Sequence, residues 1–163
     1  MKKFLKELLP YIIVILAVIL IRVFIATPVR VTGTSMVPTL NNKEIMILVK
    51  LTKYFESYKR FQIVVIKTGN SYLIKRVIAL PGEKIKCVDG VIYINNKVLE
   101  DNYGSGLTTD FDEVKLGNDE YFVMGDNREV SQDSRFIGPI KESNIKGYTN
   151  LVIYPLNKIR KAK

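Results

Sequence analysis

Hydrophobic and polar positions divide this chain into two textures. From Leu8 to Ile21 the run "LLPYIIVILAVILI" carries no charge, and if the Arg22 side chain snorkels, the apolar stretch continues through "VFIA" to Ala26. Nineteen residues make about 29 Å of helix at ~1.5 Å per residue, against a hydrocarbon core of ~30 Å. The run can therefore cross a bilayer. A core helix would show a polar stripe, and residues 11–21 show none. A cleavable leader ending at Ala26 would need a small residue two positions earlier, where Phe24 stands, and Pro28 follows closely. Lys2, Lys3 and Lys6 precede the run, and basic flanks favour the cytoplasmic side. The expected organisation is a cytoplasmic tail at residues 1–7, a retained transmembrane signal-anchor helix at 8–26 in the cell membrane, and an extracytoplasmic domain at 27–163.

Beyond Pro28 the apolar residues come in short β-rich runs: "EIMILVK", "QIVVIKT", "SYLIKRVIAL", "KIKCV", "VIYINN", "EYFVMG" and "NLVIYP". Their length and content of β-branched and aromatic residues predict strands. Asp89-Gly90 is a hairpin signal, Asn95-Asn96 marks a second turn before "KVLE", and Pro81-Gly82 ends the preceding strand. Residues 100–112, "EDNYGSGLTTDFD", lack periodicity and read as an exposed loop. Residues 48–58, "LVKLTKYFESY", fit either a short helix or strand plus loop. The fold class expected is mainly β: one N-terminal transmembrane helix followed by a single, mainly antiparallel β domain.

Composition narrows the chemistry. A length of 163 residues with 47% hydrophobic content supports one folded domain plus a short appendage. The net charge of +9 favours anionic surroundings, and because the basic residues are scattered we read it as charge facing anionic lipid headgroups rather than nucleic acid. The single cysteine, Cys87, can form no internal disulfide, and without histidine it can build no zinc site; it reads as an apolar strand filler. No metal or cofactor is expected.

The candidate chemistry begins at "GTSMVPTL", residues 33–40, where a serine stands between a flexible approach and a proline. A serine nucleophile needs a base, and this chain has no histidine. Lysine is the remaining well-attested partner. It serves only when neutral, and its ordinary pKa of about 10.4 must fall by ~3 units, at a cost of about 4 kcal/mol. The lysine must therefore lie among apolar neighbours. In "SYLIKRVIALPG", alternation places Leu73, Lys75, Val77 and Ala79 on one strand face and Ile74, Arg76 and Ile78 on the other. Lys75 thus has apolar residues at both i−2 and i+2. Lys67, in "VVIKT", is the nearest rival but closes its strand beside polar residues.

Three segments then carry a resemblance: "SMVPTL" after the apolar run, "KRVIALPGE" about forty residues on, and "MGDNREVSQDSRFIG" near the end. In this order and spacing they resemble the boxes of type I signal peptidases, the bacterial leader peptidases. The likeness runs from the apolar segment to "YPLNKIR", and the short single-anchor form is similar to the enzymes of Gram-positive bacteria. The resemblance implies a membrane-bound serine endopeptidase that removes N-terminal signal peptides from exported preproteins, with Ser35 as nucleophile and Lys75 as general base. Its partners would be signal peptides and the lipid bilayer, with no nucleic acid, and the protein would act as a monomer.

It further implies that the Ser35 N–H is the first oxyanion donor, that Gly33 lets the backbone approach, and that the Ser131 hydroxyl accepts a hydrogen bond from the Lys75 amine. Asp133 and Arg135 would pair to brace the third box, with Asp126 and Asn127 shaping the turn before it. Val29, Val31, Met36, Leu40, Leu73 and Ile74 would line shallow pockets for the small residues of an extended substrate. One departure stands out: the family's Gly-Asp pair before "IVV" is replaced by Phe61-Gln62, which puts a local turn in doubt. Two other readings compete. A self-cleaving repressor-like Ser-Lys peptidase would carry a DNA-binding module in front, where this chain has an apolar run. A membrane-anchored binder would hold exported chains without cutting them.

Overall fold

A computed structural model describes residues 2–50 and 57–162. Helix α1 occupies Lys2–Leu20, with Pro10 inside it, and widens into a π-type coil over Ile21–Ile25. Residues Glu7–Ile25 are long and apolar enough to cross a membrane, and none of that stretch is buried against the rest of the protein. A core helix would be mostly buried, and this one is not. The helical path ends one residue before the predicted limit, because Ala26 already belongs to strand β1 (Ala26–Arg30).

Twelve strands follow among the described residues: β1, β2 (Ile45–Val49), β3 (Ile63–Thr68), β4 (Ser71–Ala79), β5 (Lys84–Val88), β6 (Val91–Ile94), β7 (Lys97–Val98), β8 (Phe111–Lys115), β9 (Glu120–Met124), β10 (Ile140–Lys141), β11 (Ile145–Tyr154) and β12 (Arg160–Lys161). The larger sheet runs β1-β2-β11-β3-β4-β9-β10, with β12 on β11; the smaller runs β7-β6-β5-β8. The named strand pairs are all antiparallel, as expected from the short apolar runs and their turn signals.

Both predicted hairpins form. Asp89 and Gly90 adopt φ of 51° and 76° between β5 and β6, and Asn95 and Asn96 adopt 50° and 64° between β6 and β7. These values suit a two-residue turn matched to strand twist. Four strands escaped the sequence pattern. β1 carries Pro28, which is tolerated because β1 is an edge strand. β8 takes Phe111 and Asp112 out of the expected loop, and β10 and β12 are two residues each. The element expected over residues 48–58 falls mostly on 51–56, outside the described residues; Leu48 and Val49 end β2, and Tyr58 is buried.

Among the described residues, three apolar clusters form the interior. Val31, Met36, Leu40, Met46, Ile63 and Val152 fill the space beneath the 33–40 turn. Val64, Ile66, Val77, Tyr121, Val123 and Ile145 pack about the centre of the larger sheet. Ile78, Ala79, Ile85, Cys87, Phe122 and Met124 join the two sheets, so Cys87 is the buried filler it was expected to be. Simple alternation along β4 holds only as far as Val77. A register shift between Val77 and Ala79 turns Ala79 into the same cluster as Ile78.

Candidate active site

The 33–40 turn leaves the β1–β2 hairpin through Val31, whose N–H donates to Glu44 O at 2.8 Å. Internal bonds from Val37 N to Thr34 O (3.1 Å) and Leu40 N to Met36 O (2.8 Å) close it. Buried Met36 and Leu40 pin it to the core below. Gly33 adopts φ of +89°, where a side chain is strained. A Cβ there would meet no protein atom within 4 Å, so within the chain it is the backbone conformation that calls for glycine. Its N–H donates to Asn42 Oδ1 at 3.3 Å.

Ser35 emerges at the top of this turn. Lys75, opposite Val64 in the β3–β4 ladder, reaches it across forty residues of sequence: Lys75 Nζ donates to Ser35 Oγ at 2.8 Å. Lys75 is 2% exposed. Burial pushes its amine down to about 8; Asp133 opposes that shift, Arg135 assists it and Asp126 opposes it. A neutral amine at this distance can take the hydroxyl proton. The Ser35 backbone N–H makes no hydrogen bond among the described residues and is available to a developing oxyanion.

The third box wraps behind the pair. Asn127 N donates to Ser35 O at 3.0 Å, and Asn127 Nδ2 to Thr34 O at 3.3 Å. Asp133 caps the short helix α2 (Ser134–Ile137), receives Arg135 Nε at 2.9 Å, and accepts the Gly125 N–H at 2.9 Å. Burial would raise the Asp133 carboxyl, but the bonds from Arg135 and Gly125 outweigh it and hold the group below the usual carboxylate range. Ser131 corrects the sequence reading. Its hydroxyl is buried beside Gly125, close enough to Asp133 to help hold that carboxyl low; no hydrogen bond joins it to the Lys75 amine, which is directed to Ser35 instead.

Asp126 does more than shape a turn. Both its oxygens accept from Arg76, Nε at 2.8 Å and Nη2 at 2.7 Å, with the side chains 2% and 0% exposed. Arg76 also donates to Phe61 O at 2.8 Å and to Thr39 Oγ1 at 3.3 Å, and lies 3.8 Å from the Tyr103 ring centroid. It thus links the strand bearing Lys75, the turn bearing Ser35 and the third box. Sequence reasoning left Arg76 without a role. Its signal, an arginine facing the interior of an apolar strand, was present in "KRVIAL". Phe61 holds φ of +66°, so the turn where glycine was expected still forms. Its carbonyl bonds to Arg76, its ring packs on Tyr103 at 5.0 Å between centroids, and Gln62 Oε1 accepts Lys59 N at 2.9 Å.

The 100–112 segment is exposed for the most part but strapped to the third box. Ser105 N donates to Asp126 O at 2.7 Å, Arg128 N donates to Ser105 O at 2.9 Å, and Arg128 pairs with Asp101. Beside Ser35 and Lys75 lies a cleft of about 100 Å³ bordered by Val29, Val31, Gly33, Met36, Leu73 and Ile74. Leu40 is not on it: the residue is fully buried under the turn, where it packs with Met46 and Val152. Gly125 is the tightest contact of the site. A Cβ there would overlap both Ser131 Oγ and the Ser35 carbonyl oxygen, and the backbone atom cannot swing away. Gly125→Ala is expected to displace the serine turn and lower turnover about 100-fold, measured as kcat on a cleavable substrate, with circular dichroism unchanged.

The chain has similar proteins of known family. The family model described as "Signal peptidase, peptidase S26" matches residues 3–154. A signal peptidase I of Bacillus amyloliquefaciens is 40% identical over 164 residues, covering 93% of this chain and 89% of the relative. Signal peptidase I S of Bacillus subtilis (strain 168) is 37% identical over 163 residues, covering 92% and 89%. The crystal structure of a signal peptidase I from Enterococcus faecalis V583 superposes with a TM-score of 0.52 at 29% identity, covering 57% of this chain and 97% of that one.

Proposed function

The chain belongs to the signal peptidase family, peptidase S26, and on that premise we propose that it cleaves signal peptides from exported preproteins as a membrane-anchored serine endopeptidase using Ser35 and Lys75. One observation carries the reading: a buried amine with lowered basicity stands 2.8 Å from a serine hydroxyl at the edge of an apolar cleft. The neutral amine accepts the Ser35 proton as Oγ attacks the scissile carbonyl, and the resulting ammonium returns that proton to the leaving amine. The Ser35 N–H faces the charge that develops on the carbonyl oxygen. Water then repeats the sequence on the acyl-enzyme.

The extended substrate lies along edge strand β1, whose outer side is unpaired within the sheet order. Small side chains before the cut enter the hollow between Val29, Val31 and Met36 on one side and Leu73 and Ile74 on the other. The helix over Glu7–Ile25 holds the domain at the outer face of the cell membrane, with the N-terminus in the cytoplasm. Detergent-solubilised protein incubated with a preprotein tests this. We expect a single new N-terminus and insensitivity to chelators. Because the base works only when deprotonated, kcat/KM should rise about tenfold per pH unit below pH 8 and level off above it. A profile falling with pH over that interval would sink the assignment of Lys75.

A further inference from the structure

The C-terminal end of the apolar helix is tied to the sheet by a brace that the chemistry at Ser35 does not use. Lys50, immediately after β2, donates from Nζ to Arg22 O at 3.1 Å and to Val23 O at 3.3 Å, and from its backbone N–H to Ile25 O at 2.9 Å. Thr27 Oγ1 donates to Arg22 O at 2.7 Å. The last carbonyls of a helix have no partners within it and carry the negative end of its dipole, so an ammonium and a hydroxyl there satisfy them directly. The chain then passes from the π-type coil into β1 without a loop, and β1 pairs with β2 from Ala26↔Val49 onward. The helix is thus built into the strand that leads to the serine turn.

The same junction forms one end of a groove of about 660 Å³ walled by Val23, Phe24, Pro28, Val29, Leu48 and Tyr72. Val29 and Tyr72 also border the cleft at Ser35, so the two hollows adjoin. A substrate whose apolar segment sits in the bilayer reaches Ser35 past this junction. Each extended residue advances ~3.3 Å, and side chains on one face recur every second residue. With the helix end fixed to the sheet, the bond presented to Ser35 is set by the number of residues between the apolar segment and the cleft.

Resting on the reading that the chain cleaves signal peptides at Ser35, we propose that Lys50, assisted by Thr27, is a positioning device that fixes the cleft's height above the bilayer and thereby selects which bond is cut. The test uses the full chain in vesicles and a preprotein with alanine at every position from six before to four after the normal cut, so that distance alone discriminates. Product N-termini are read by mass spectrometry, alongside turnover of a short soluble peptide that lacks an apolar segment. Wild type should give one dominant product. Lys50→Met should raise products displaced by two residues about tenfold, since bonds from a charged donor are lost, while turning over the short peptide within twofold of wild type. Lys50→Arg, which still donates, should restore the single cut. The inference is overturned if Lys50→Met keeps the wild-type product pattern, or if its preprotein and short-peptide rates fall together, which would mean a merely structural role. A wild-type chain that cuts neither substrate overturns the underlying reading, and this inference with it.

Discussion

Ser35→Ala and Lys75→Met should each lower preprotein cleavage by at least ~10⁴-fold, and the double variant should be little worse than either alone, because nucleophile and base act as a unit. Binding should survive in both, since most of the cleft lining is supplied by other residues. Co-sedimentation of an uncut preprotein with Ser35→Ala, together with loss of product, separates a peptidase from a holding protein. Undiminished processing by Ser35→Ala would remove the nucleophile.

Lys75→Met should at the same time be more stable than wild type near neutral pH. The amine falls from 10.5 to about 8 because burial disfavours its charge, which corresponds to about 3 kcal/mol at ~1.4 kcal/mol per pKa unit. Losing the bond to Ser35 offsets about 1 kcal/mol of that. The sign follows from the proton count. Below pH 8 folded and unfolded chains both hold the proton, and the burial cost is fully present. Between 8 and 10.5 the unfolded chain retains a proton that the folded chain has released, so wild-type stability climbs with pH. The variant has no such slope. Differential scanning calorimetry should therefore find Lys75→Met melting about 4–8 °C higher at pH 7, with the gap closing towards pH 10.5. A gap independent of pH would mean that Lys75 is not held against its charge.

Breaking the Arg76–Asp126 pair should be the largest stability loss among single substitutions at the site. Asp126→Asn removes a carboxylate bound by two hydrogen bonds to the buried Arg76 guanidinium, and Arg76→Met removes that guanidinium from the buried carboxylate; each is expected to cost about 3–5 kcal/mol. The loss should propagate to activity, because the same guanidinium holds Phe61 O and Thr39 Oγ1 while Asn127, next in sequence to Asp126, holds the Ser35 carbonyl. Urea denaturation of the two single variants and of Arg76→Met with Asp126→Leu separates the contributions. The double variant should recover much of the stability, since an apolar pair replaces an ion pair with no orphan left behind. Failure to recover any of it would assign the loss to packing around Tyr103 rather than to charge.

What could be read from the sequence was chemistry carried by single residues in strong local patterns. A serine in a turn, a lysine flanked by Leu73 and Val77, and glycine- or asparagine-bearing hairpins are all local, and the fold joins the first two and shapes the last as their patterns indicate. What could not be read depends on register between distant strands. Arg76 finds Asp126 because β4 lies beside β9, with Arg76 opposite Met124, and nothing within "KRVIAL" discloses that neighbour. Leu40 and Met36 have the same apolar character and are both buried beneath the turn, yet only Met36 also borders the cleft. Phe61 shows the converse error. Its positive φ is sustained by tertiary bonds to Arg76 and Tyr103, so a local preference for glycine was overridden from outside the turn.

Strands β5 to β8 are inserted between β4 and β9, which are nonetheless hydrogen-bonded neighbours in the larger sheet. Bond-breaking therefore belongs to a frame that closes upon itself, while the smaller sheet is an excursion returning to where it left. Its outer turn, at Asn95 and Asn96 between β6 and β7, can lengthen or carry a grafted epitope over evolutionary or laboratory time without altering the spacing between hydroxyl and amine.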